Sequence, residues 1–154
     1  MFQAFAFLAL ITGAQQDAEA CRPITDPPHF MIFFDAGSAR VTKGAAPILD
    51  LAAVAFPSLR RCDETTVYLI AGHSDGAGSA DTNRRLSCER ALAARNYLLT
   101  KGLRREWLIP IGFGANRPNV PTPNGNRERQ NRYVDIEVTG LEYVRHHSVG
   151  AARC

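Results

Sequence analysis

The chain has 154 residues, enough for one domain with a proper core, and its 45% hydrophobic and 21% charged residues are those of an ordinary globular protein. A formal net charge of +3 suits an anionic partner. Lys and Arg form no basic stripe with interleaved aromatics, so the pattern excludes a nucleic-acid-binding signature.

Residues 1–20 stand apart from the rest. Phe5 to Ile11 is an apolar run too short to span a bilayer comfortably, and Ala18-Glu19-Ala20 places small residues where a signal peptidase reads. The segment reads as a secretory signal, against the alternative of a buried N-terminal helix. No Lys or Arg precedes the run, as a truncated start would leave it. Nothing later in the chain approaches transmembrane length. The cysteines are Cys21, Cys62, Cys88 and Cys154. An even count in an exported chain favours disulfides, with three possible connectivities. No CxxC or Cys/His spacing suggests zinc, so neither a metal nor another cofactor is expected. Cys21 directly follows Ala20 and could instead carry a lipid, although Ala18 stands where an aliphatic residue is usual.

A Pro-rich lead-in, residues 25–28, precedes an aromatic-rich apolar run at 29–34 that suits a buried strand. A turn at 35–39 follows. Thr42 reads as the N-cap of an Ala/Leu-rich helix ending near Phe56-Pro57, with Pro47 disturbing its first turn. Residues 65–71 are the clearest strand, running into the turn Gly72-His73-Ser74-Asp75-Gly76. A long helix at 80–100 stops at Gly102. Residues 107–111 form a third strand, which Pro110 places at an edge or an irregularity. A long polar loop at 115–131, functional or mobile, leads to an alternating strand at 133–138. Strands alternating with helices imply a mixed α/β sheet packed by helices, in one domain over about 28–140. The tail, 141–154, has no clear pattern. A Cys62–Cys88 bridge would span a strand plus a helical turn, more than the ~7 Å a disulfide tolerates. Cys21 suits Cys62 if the first two strands are parallel.

The chemistry concentrates around the second strand. Asp75 sits in a Gly-flanked turn past its carboxyl end, where α/β sheets tend to bind ligands; the plainer role is to cap the next helix. Asn83, Ser87 and Arg90 share one face of that helix, while Leu86, Ala93 and Tyr97 or Leu98 can form its core-facing stripe. Arg90 suits two-point grip of a carboxylate and Asp75 suits an ammonium, which together make a receptor for a zwitterion. An internal Asp75–Arg90 salt bridge is the competing reading. Asn131 and Arg132 could bring a second cation to the same end of the sheet, or could simply line a solvated loop. The site groups are expected to be partly exposed, so that folding survives their replacement.

Residues 72–91, GHSDGAGSADTNRRLSCERA, resemble the signature of OmpA-like domains, shared with peptidoglycan-associated lipoproteins and flagellar stator B proteins. Gly72, His73, Asp75, Gly78, Asn83, Leu86, Ser87, Arg90 and Ala91 all match. Phe33-Phe34-Asp35, Val41-Thr42, Gly112-Phe113-Gly114, Asn116-Arg117-Pro118 and Asn131-Arg132-Tyr133-Val134-Asp135-Ile136 resemble further family motifs in the right order, over roughly 30–139. The resemblance implies a βαβαβ(α)β sandwich that binds peptidoglycan non-covalently through diaminopimelate of the stem peptide. By position, Asp75 would meet its amine and Arg90 its carboxylate, with Asn83 and Arg132 lining the pocket. Gly37, Ala77 and Tyr133 depart from the family pattern. The ligand and the leader together imply a periplasmic domain tethering or organising the outer membrane and cell wall, with outer-membrane or envelope proteins as possible further partners. One alternative is a structural subunit of an envelope or stator-type complex, although stator proteins carry a transmembrane helix that this sequence lacks. The other is a small hydrolase using His73, Ser74, Asp75 and Cys88, but adjacent strand residues point opposite ways and no G-x-S-x-G elbow exists. A binding module rather than an enzyme is expected.

Overall fold

The computed structural model describes residues 28–123, 125–147 and 151–154. The leader-like segment, most of the Pro-rich lead-in and Cys21, with its expected lipid or its bridge to Cys62, lie outside the described residues.

The elements follow as β1 (His29–Phe33), α1 (Ala46–Cys62), β2 (Thr66–Gly72), α2 (Ala80–Thr100), β3 (Leu108–Gly112), β4 (Tyr133–Gly140), α3 (Leu141–His147) and β5 (Ala152–Arg153). The sheet is mixed, in the order β1-β4-β2-β3-β5, with β2 and β3 parallel and the other neighbours antiparallel. Since β4 runs antiparallel to both β1 and β2, those two strands are parallel, with β4 between them. No described helix is long and apolar enough to cross a membrane.

Alternation along the strands divides the side chains between two faces. Ile32, Phe34, Tyr68, Ile70, Leu108, Val134 and Ile136 face α1 and α2 and form the main core with Leu49, Phe56 and Leu98. Val67, Leu69, Ala71, Ile111 and Phe113 face the other way, where Val144 of α3 covers them. The chain beyond residue 140, patternless as sequence, therefore supplies the cover for a second small core and an edge strand.

Two features of α1 differ from the sequence expectation. Helix α1 continues through Pro57 to Cys62. Its last turns are anchored by tertiary contacts: Phe56 packs 4.4 Å from the Tyr68 ring, and Arg60 lies over Trp107 and donates to the Thr66 carbonyl. These offset the missing proline hydrogen bond, a loss of about 3 kcal/mol in an isolated helix. Thr42 does not cap α1, because its hydroxyl accepts from Ala45 N (3.2 Å) and so closes the turn before the helix. Pro110 sits toward the sheet edge as expected: its carbonyl accepts from Cys154 N, on the side where only short β5 pairs.

Cys88 of α2 is bonded to Cys154, with the Cα atoms 5.5 Å apart. Cys62 is also disulfide-bonded. The Cys88–Cys154 link closes 66 residues and holds the chain end against β3. Cross-links over loops of this length stabilise by typically 2–4 kcal/mol. Replacing both cysteines (Cys88→Ala with Cys154→Ser) should lower the unfolding free energy by about that amount while preserving the fold. Urea denaturation followed by circular dichroism measures the change.

Candidate functional site

Helix α2 presents to the sheet the face that sequence pattern reads as a polar ledge. Asn83, Ser87, Arg90, Ala91, Ala94 and Leu98 are buried; of the expected core stripe Leu98 is thus in the core, whereas Leu86, Ala93 and Tyr97 are only half-buried. Two glycines make this packing possible. A Cβ on Gly72 would stand 2.0 Å from the Ser87 carbonyl oxygen, and one on Gly112 would stand 2.7 Å from Cys88 Sγ. With hydrogen at both positions the helix backbone settles directly onto β2 and β3. Ser87 then bridges the two elements: its hydroxyl donates to Arg84 O and accepts from Gly114 N (2.9 Å).

The close approach puts Arg90 beneath the carboxyl end of β2 with no solvent exposure. Its Nε donates to Ser38 O (2.9 Å), one terminal nitrogen to His73 O (2.9 Å), and the other to Asp35 O (3.1 Å). Burial lowers its pKa to about 10, opposed by the attraction of Asp75, so Arg90 stays charged at neutral pH. The expectation of a partly exposed Arg90 is therefore corrected. A guanidinium at this depth must satisfy its donors internally, and backbone carbonyls are the acceptors available.

Asp75 pairs with Arg132: one terminal nitrogen lies 3.0 Å from Oδ2, and the two side chains are only 9% and 11% exposed. Arg132 also donates from Nε to Phe34 O. With its amide oriented to satisfy both partners, Asn83 donates to Ala77 O (3.0 Å) and Asp75 O (3.3 Å), fixing the turn that carries Asp75. Thus Asp75, Asn83, Arg90 and Arg132 do gather at one end of the sheet. The direct ion pair is Asp75 with Arg132 rather than Asp75 with Arg90. Beside the turn opens a cleft of about 310 Å³ lined by Gly76, Gly78, Asn83, Arg84, Phe113 and Gly114, among others.

Sequence reasoning missed two residues that support this end of the sheet. Asn131, taken as a member of a solvated loop, is buried; it accepts from Val120 N and donates to Val120 O and Thr122 Oγ1, pinning the long loop. Tyr133, a departure from the family pattern, stacks on the His73 ring at 4.1 Å and donates to Arg117 O. Neither role has a periodicity signal, because each depends on a distant backbone. His73 is sandwiched by Phe113 on its other side, and burial lowers its pKa to about 4, so it is neutral at physiological pH. Neither His73 Nδ1 nor Ser74 Oγ has a hydrogen-bond partner among the described residues, and Cys88 is committed to its disulfide. The hydrolase arrangement considered from sequence thus has neither a His–Ser contact nor a thiol.

Comparison with known proteins identifies the family to which this α/β sheet, with an acid and two guanidiniums clustered at one strand end, belongs. The OmpA family model matches residues 33–132, and the chain belongs to that family. It is 30% identical over 110 residues to the probable lipoprotein YiaD of Escherichia coli K12, covering 71% of this chain and 48% of that one. It is 28% identical to the peptidoglycan-associated lipoprotein of Mesorhizobium japonicum, covering 71% and 62% respectively. The chain thus spans about half to two thirds of the length of these relatives. The crystal structure of the peptidoglycan-associated lipoprotein from Burkholderia pseudomallei shares the fold, with a TM-score of 0.63 at 24% identity, covering 71% of this chain and 89% of that one.

Removing the buried guanidinium should damage the fold, contrary to the sequence expectation that folding survives. Arg90→Ala removes three charge-assisted hydrogen bonds to carbonyls, of which the one to His73 O is fully buried, at about 1–3 kcal/mol each. A loss of about 3 kcal/mol or more is expected in urea denaturation. Arg90→Lys should recover only part of it, since an ammonium cannot span three acceptors arranged for a planar fork. A stability within about 1 kcal/mol of wild type for Arg90→Ala would contradict the structural role.

Proposed function

We propose that this domain binds peptidoglycan non-covalently, through the diaminopimelate of the stem peptide, and so tethers or organises the outer membrane against the cell wall. The observation that carries the proposal is the near-buried cluster of Asp75 with Arg132 and Arg90 at the carboxyl end of β2. One carboxylate beside two guanidiniums complements a ligand end bearing both an ammonium and a carboxylate. In this reading the amine goes to Asp75. The ligand carboxylate goes to the positive charge of Arg132 at the surface and Arg90 beneath it. Asn83 holds the turn in place. Exchanging the internal Asp75–Arg132 pair for two ligand contacts conserves the charge pairing, so the buried groups are never left uncompensated.

Membership of the OmpA family and relatives named for peptidoglycan association support the same reading. A wall ligand puts the domain in the cell envelope, on the periplasmic side of the outer membrane. The role is binding rather than catalysis.

The test is retention on purified sacculi, with competition by free diaminopimelate. One charge-assisted contact is worth roughly 1.5–3 kcal/mol, so Asp75→Asn and Arg132→Ala should each weaken retention about ten- to a hundredfold. Circular dichroism checks that both variants remain folded. No muropeptides should be released from the sacculi. Two folded variants binding like wild type would show that the ligand sits elsewhere, and release of muropeptides would indicate a hydrolase.

A further inference from the structure

The sheet face opposite α1 and α2 carries a cluster that the peptidoglycan reading does not use. His29 of β1 lies directly across from Glu137 of β4, and Asp135 is two residues along the same strand. Alternation places all three on one face. One donor atom from each comes together so that all lie within 4.8 Å of one another, and His29 Nδ1 is 3.6 Å from Asp135 Oδ1. Tetrahedral zinc with bonds near 2.0–2.1 Å needs donor separations of about 3.3 Å, within reach of small side-chain rotations.

A second observation concerns the environment of the Asp135 carboxylate. Asp135 Oδ1 is shielded from solvent and, beyond the 3.6 Å approach of His29 Nδ1, has no hydrogen-bond partner among the described residues. Buried polar atoms are nearly always satisfied, and an ion is one of the standard explanations for an exception. Beside the cluster lies a hollow of about 110 Å³ lined by His73, Arg117, Tyr133, Asp135, Glu137 and Tyr143, among others, with room for water to complete a coordination shell. Arg117 is the opposing charge at this hollow, and its guanidinium is stacked over Phe113 at 4.1 Å.

We propose that His29, Asp135 and Glu137 bind a divalent transition-metal ion of the zinc class. The imidazole nitrogen selects against calcium and magnesium, which favour all-oxygen sites. Three protein ligands leave a fourth position for water or an incoming group. The sequence offers no local sign of such a site, because its residues meet only through the pairing of β1 with β4. None of the described cysteines is free, so no thiol among them competes for the ion.

The experiment is isothermal titration of the metal-free full chain with zinc chloride, alongside magnesium chloride, with cobalt absorption as a second readout of the ligand set. Saturable binding of one zinc per chain is expected, with none for magnesium at the same concentrations. His29→Ala and Asp135→Asn should each weaken zinc binding at least about tenfold. His29 is largely exposed, so its replacement leaves the fold intact. His146→Ala serves as a control for the exposed His146–Glu142 pair on α3 and should bind like wild type. Absence of saturable zinc binding, or binding that persists in His29→Ala, or binding lost in His146→Ala, would overturn the site.

Discussion

A charged guanidinium with no solvent exposure has to be neutralised and hydrogen-bonded where it stands, and this requirement on Arg90 organises the functional end of the molecule. Its three donors reach carbonyls from the turn after β1 and from the end of β2. Two segments far apart in sequence are thereby joined by one side chain. The arrangement works only if α2 lies against the sheet closely enough for Arg90 to reach them. Gly72 and Gly112 provide that proximity, Ser87 fastens it to Gly114, and the Cys88–Cys154 bond ties the same helix to the chain end.

Position and charge follow from this frame. Asp75 projects from a turn whose backbone is held by Asn83, and it meets Arg132 at the start of β4. Polar groups at this depth are held in place by neighbours rather than by water, so the proposed receptor would be formed before any ligand arrives. Such preorganisation saves the ordering cost that binding would otherwise bear. The opposite face of the sheet has a different character. There the aromatic stack of Tyr133, His73 and Phe113 borders a carboxylate pair, and the chain after residue 140 covers the remaining apolar surface.

The order of the four longer strands and both long helices is legible in the sequence, because β-branched runs and helix signals depend on near neighbours. The gathering of Asp75, Asn83, Arg90 and Arg132 at one end of the sheet is legible as well, since they stand in motifs with fixed spacing. What pattern alone misjudges is depth. Asn83, Ser87 and Arg90 read as an exposed ledge because they are polar, yet they face the sheet, where glycines admit them and carbonyls satisfy them. Pro57 reads as a helix end because local rules see only its missing donor, while Phe56 and Arg60 hold that stretch through contacts with Tyr68 and Thr66 outside the helix. Helix α3 and strand β5 follow from the chain's return to the sheet, which no local period records.

The most direct test is a nuclear magnetic resonance titration with free diaminopimelate that follows the side-chain Nε–H signals of Arg90 and Arg132 and the backbone amides of residues 73–78. The account predicts saturable shifts at both arginines and along this turn, with little change at the opposite sheet face around Tyr143. Saturable shifts confined to that opposite face, or none at Arg132 and the turn at millimolar ligand, would contradict a zwitterion receptor built around Asp75.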